Sequence, residues 1–182
     1  MARIDGHGIS VDLPSGFEGE IFGLPLGPGE APAVGIQAMS TASADADPSL
    51  APQARSAAPT APTTPPVVHV ATFPLPQGRG DFGNGAVDLM GTEDIFIALC
   101  EYGSEAARSV LYSAEGFPQL TSADFATDTL HRSFENHSGC QKFFHIGDRA
   151  FCLYVVLGSH YFRNGLVRRV NEVIAGIEVA TG

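Results

Sequence analysis

The chain has 182 residues, with 20 acidic side chains against 10 basic ones and a formal net charge of −10. A hydrophobic content of 44% is enough for a true core and excludes a wholly disordered chain. So acidic a surface argues against nucleic acid and anionic membrane, where binding begins with phosphate neutralisation.

No apolar run approaches the length that spans a bilayer. The opening residues, Met-Ala-Arg-Ile-Asp-Gly-His-Gly, lack the charged and apolar stretches of a secretory signal, so the expected location is cytoplasmic. The cysteines, Cys100, Cys140 and Cys152, do not form a disulfide framework at this chain length. Cys100 and Cys152 fall in apolar stretches and read as buried thiols; a disulfide between them stays open if their strands are neighbours.

In chain order, Gly8–Leu13 alternates apolar and polar residues and predicts a strand with one wet face. Pro14-Ser15-Gly16 ends it, and Phe17–Phe22 can return as a second strand. A short strand is possible at 33–39. From 40 to 66 the composition turns to Pro, Ala, Ser and Thr, which cannot bury enough apolar surface to offset the entropy of ordering. This stretch reads as a disordered insertion of polyproline II character within a single domain spanning 1–182. A proline-binding groove is a possible reader of it.

Val67–Phe73 predicts a core strand in which His69 sits among apolar neighbours, the setting of a hydrogen-bonded core histidine. The loop from Pro74 to Glu93 follows. Its Gly78, Gly80 and Gly83 have the spacing of a dinucleotide fingerprint, but prolines intervene after the strand and Asn84-Gly85 continues the turn, so no cofactor site is read there. The loop still carries Arg79, Asp81, Phe82 and Asn84 on glycine-rich backbone, and loops of this length are often functional. These four are the candidate binding residues.

Asp94–Tyr102 is apolar on both alternations, as is Arg149–Leu157. Strands without a polar face need cover on both sides. Ser104 reads as an N-cap, and Ala107, Val110, Leu111 and Ala114 form a helical stripe closed by Glu115-Gly116. Between Thr121 and His137 a helical turn, then a strand at Thr129–Phe134, is expected. Asp124, His131, Glu135 and His137 lack zinc spacing, so no metal is assigned. Gln141–His145 and Arg149–Leu157 flank a Gly147-containing link and predict a hairpin. Phe162, Leu166, Val170, Val173 and Ile177 then predict a C-terminal helix.

Helices beside two-faced strands give an α+β fold: an α/β/α sandwich around a mainly antiparallel sheet. The Leu13-Pro-Ser-Gly-Phe17 segment and the closing Phe151–Ile177 stretch resemble the PsbP / Mog1-like group, which includes small bacterial domains. That resemblance implies the same sandwich and a non-catalytic accessory role, with no catalytic residues to carry over. The expected function is a non-enzymatic accessory or protein-binding module, with another protein as partner. The alternatives are a small enzyme or ligand-binding protein at the Gly78–Gly85 loop, using Arg79 and Asp81 with His69 or His145, and a structural subunit of a larger assembly.

Overall fold

The computed structural model describes residues 2–25, 63–130 and 134–181. The chain divides into two compact units, Met1–Leu24 with Pro65–Gly182, and Pro25–Thr64. The architecture that follows is that of the first unit. The strand expected at 33–39 and most of the insertion expected at 40–66 lie outside the described residues; 63–66 are part of a strand.

The strands are β1 (Ala2–Gly6), β2 (Ile9–Leu13), β3 (Glu18–Pro25), β4 (Thr63–Ala71), β5 (Ile95–Tyr102), β6 (Ser138–Ile146), β7 (Arg149–Leu157) and β8 (Ile177–Val179). The helices are α1 (Ser104–Ala107) and α2 (Arg163–Ala175). A five-stranded sheet has the order β3-β4-β5-β7-β6 and a three-stranded sheet the order β1-β2-β8. The expected hairpin is β6–β7, with Ile146 opposite Arg149 and Gly147 at φ 59° in the turn.

The two faces of the larger sheet are covered differently. On one, Val68, Val70, Ile97, Leu99, Leu153 and Val155 pack beneath α2 and the inner side of the small sheet. Leu166, Val170 and Val173 from α2 and Ile9, Val11 and Leu13 from β2 complete this core. On the other face, Val67, Ala71, Phe96, Ala98, Cys100, Cys152 and Tyr154 lie beneath the long loop, chiefly Ala86, Val87 and Met90 in and beside its 3₁₀ turn at Val87–Leu89.

The α/β/α sandwich is therefore corrected: the structure is mostly sheet, with one long helix on one face. The helix expected after Ser104 stops at Ala107, and α1 buries no residue. Val110 is 90% exposed, so the predicted stripe never meets a core. What competes with the helix is the bare edge of β6. Ala114 O accepts from His145 N at 2.8 Å and Gly116 N donates to His145 O at 2.9 Å, a bridge that needs Glu115 out of the helix. The preceding 3₁₀ turn at Val110–Tyr112 puts Tyr112 into the core instead. The strand expected at Thr129–Phe134 is also not formed where it is described, since Thr129 and Leu130 are in bends.

The N-terminal pairing differs as well. β2 pairs with β1, not with the following strand, through a His7-Gly8 turn whose φ values of 54° and 72° are those of a two-residue hairpin. β3 instead joins the larger sheet. Ile177, read as the end of the helical stripe, belongs to β8 and pairs with Val11. The helix ends at Gly176, where a Cβ would sit 2.7 Å from Asp12 O.

Arg149 fastens the two sheets together. Its guanidinium meets Glu101 of β5 through Nε–Oε1 (2.9 Å) and Nη2–Oε2 (2.5 Å). It also donates to the carbonyls of His7 and Gly8 in the β1–β2 turn and of Ala180 beyond β8.

Candidate functional site

The glycine-rich loop is held flat on the sheet. Gly83 has φ 77°, and a Cβ there would lie 2.4 Å from the Phe96 ring, so only glycine meets both demands. Beside it, His69 projects from β4 into the same face and is fully buried. Phe22 and Phe96 flank its ring, each with centroids 5.0 Å away.

Both ring nitrogens of His69 are used. Arg79 Nε–H donates to Nδ1 at 2.8 Å, so the imidazole proton is on Nε2, which donates to Asp81 O at 2.7 Å. Burial lowers the His69 pKa to about 4; the Asp81 carbonyl opposes that shift and the Arg79 charge reinforces it. The imidazole is thus neutral near pH 7 and acts as a relay between an arginine and the loop backbone. Arg79 is spent in the same network: Nη1 donates to Pro76 O at 2.9 Å, and Nη2 pairs with Glu20 of β3. The side chain is 6% exposed.

The other expected site residues divide between core and solvent. Asp81 contributes its carbonyl to the latch, and burial pushes its carboxyl pKa upward. Phe82 packs edge-on against Tyr154 with centroids 5.6 Å apart. Asn84 is exposed. The structure brings Arg79, His69 and the Asp81 backbone together, with their polar atoms turned inward. His145 lies elsewhere: β4 and β6 are separated by two strands, about 14 Å at the usual spacing, and its Nδ1 meets Tyr112 O at 2.7 Å.

Cys100 and Cys152 face each other across β5 and β7 as free thiols. Gly158 N donates to Asp94 O, and Cys100–Cys152 shares that parity, so it is a hydrogen-bonded pair. Cβ atoms at such positions stand about 5.5 Å apart, too far for a disulfide without backbone movement. Burial raises both thiol pKa values, that of Cys152 to about 11. Cys100 Sγ instead contacts Asp81 O at 3.7 Å.

Of the residues weighed for a metal, Asp124 pairs with Lys142 at 2.5 Å, His137 Nδ1 meets Glu135 O at 3.0 Å, and His131 lies outside the described residues. No helix among the described residues is long and apolar enough to cross a membrane.

A second surface lies at the start of α2. Tyr161 is 84% exposed and Phe162 54% exposed, in an edge-to-face pair with centroids 5.1 Å apart. They border a hollow of about 450 Å³, also lined by Glu93, Asn164, Leu166 and Arg169. The Arg169 guanidinium lies 5.1 Å from the centre of the Phe17 ring. Periodicity hides this site, because Phe162 fits the helical stripe and Tyr161 precedes it. The available signal is an aromatic pair between polar His160 and Arg163. No family model, curated protein or solved structure matches the chain.

Proposed function

We propose that the domain is a non-catalytic protein-binding module whose contact surface is the Tyr161–Phe162 step and its adjoining hollow. The observation that carries this reading is the exposure of two neighbouring large aromatic side chains beside a concavity. Aromatic and arginine side chains are the usual anchors of protein interfaces. A second exposed apolar pair, Val110 and Leu111, is of residue types that seldom anchor binding.

The enzyme or ligand-binding reading at the Gly78–Gly85 loop has less behind it. A group meant to hold an anion needs unused donors, whereas Arg79 directs Nε, Nη1 and Nη2 at protein atoms. His69 is likewise engaged at both nitrogens, which leaves it no free position for proton transfer.

The test is affinity capture from native cells with Tyr161→Ser/Phe162→Ser beside the unchanged protein. Loss of the captured partner with an unaltered melting temperature is the expected result. Full recovery of the partner by the double variant would remove this surface from consideration.

A further inference from the structure

We propose that the occupant of this surface is a second copy of the chain, docked about a two-fold axis so that the aromatic step of each copy enters the hollow of the other. The inference rests on the binding-module reading and names the partner.

A two-fold interface uses one patch twice, so the patch must complement itself in shape and charge. This one carries both halves of each match. The projecting rings of Tyr161 and Phe162 adjoin the hollow of about 450 Å³. That hollow is lined by one carboxylate, Glu93, and one guanidinium, Arg169. Among the described residues neither is in an ion pair, with the other or with any third residue. A purely basic or purely acidic partner would satisfy one of these charges and be repelled by the other. A second copy satisfies both, Glu93 of each protomer meeting Arg169 of its partner.

Size sets the expected strength. At 84% and 54% exposure, the Tyr161 and Phe162 rings of two copies have roughly 400–700 Å² left to bury. A stable interface needs about 1,200 Å² or more, so the dimer is weak and concentration-dependent. The net charge of −10 on each copy opposes association, but at about 0.15 M salt charges beyond roughly 8 Å are largely screened.

The experiment is sedimentation equilibrium of the full chain at about 0.15 M salt from roughly 10 μM to 1 mM, a range chosen to bracket weak association. The apparent mass is expected to rise from one chain towards two. Tyr161→Ser should weaken association at least tenfold, since it removes an anchor from both halves of the interface. Glu93→Arg alone and Arg169→Glu alone should each abolish it, and the double exchange Glu93→Arg/Arg169→Glu should restore it. Circular dichroism and the melting temperature confirm that each variant is folded.

A constant monomer mass across the range overturns the proposal, and so does failure of the double exchange to rescue. If the protein stays monomeric while native-cell capture still yields a partner that Tyr161→Ser/Phe162→Ser loses, the self-association falls and the binding-module reading stands. If capture also fails, both fall.

Discussion

The two faces of the larger sheet solve one problem by different means. On the face under α2, apolar side chains at helical and strand spacing interlock, and the backbone of each covering element satisfies its own polar groups within a helix or ladder. On the face under the loop, backbone bonds between Gly80 and Met90 satisfy part of the cover, and the Asp81 carbonyl is met by a side chain brought in from below. His69 is that side chain. Each face also has an arginine pin, Arg149 on the first and Arg79 on the second, but their surroundings differ. Glu101, the carboxylate of Arg149, has a side chain 14% exposed, whereas Glu20, paired to Arg79, is 53% exposed. A regular cover tolerates loss of one polar contact less than a coil cover does when that contact is the more deeply buried.

Four substitutions or conditions would break or sharpen this contrast. The largest effect is expected for Arg149→Ala, which strands the largely buried Glu101 carboxylate and unties the small sheet. Unfolding in urea should show a loss of about 3–5 kcal/mol. Gly83→Ala comes next, because the added methyl meets Phe96 and L residues resist that backbone angle. A loss of about 2–4 kcal/mol is expected, read by the same titration. Partial relaxation of the loop would place it at the lower end.

Third is a dependence on pH. Burial holds His69 at about 4, against 6.5 for the unfolded side chain, so as pH falls from 6.5 to 4 the unfolded chain takes up the proton first. The contribution of neutral His69 is present above pH 6.5 and is lost on acidification, by about 3 kcal/mol at most. His69→Gln should flatten that slope; an unchanged slope would show that the imidazole titrates freely.

The smallest effect is expected for Arg79→Ala. It leaves His69 Nδ1 without its donor, while Glu20 regains water, so about 1–3 kcal/mol is lost. Hydrogen exchange should accelerate in the 74–90 loop and stay slow in β7 and α2. Equal acceleration on both faces would mean that the loop is not an independent cover.

The same contrast explains what the residues reveal before the structure is seen. The β6–β7 hairpin, β5 and α2 announce themselves by alternation or helical spacing, because regular cover repeats. His69 was readable as a satisfied core residue because it lies within an apolar run. The loop cover has no period: its fit depends on Gly83 lying against Phe96, two residues with no pattern between them. The helix expected after Ser104 had a correct stripe and lost to an unpaired strand edge contributed by residues far along the chain. Within the candidate loop, residue types marked Arg79, Asp81, Phe82 and Asn84 as unusual, but not which way each would turn. Tyr161 belongs to no periodic pattern, and exposure, unlike apolarity, is not written in a side chain.

The small sheet has a further implication for how the molecule is assembled. Its central strand, Ile9–Leu13, bonds on one side to the opening residues and on the other to Ile177–Val179. During synthesis the first hairpin therefore emerges long before its third strand exists, and a lone two-strand ribbon has little stability in water. The hairpin must wait for its partner across the 166 positions from Val11 to Ile177, and pairing over so long a separation is expected to close slowly. The Arg149 clasp, which reaches carbonyls at both ends of the wait, then locks it.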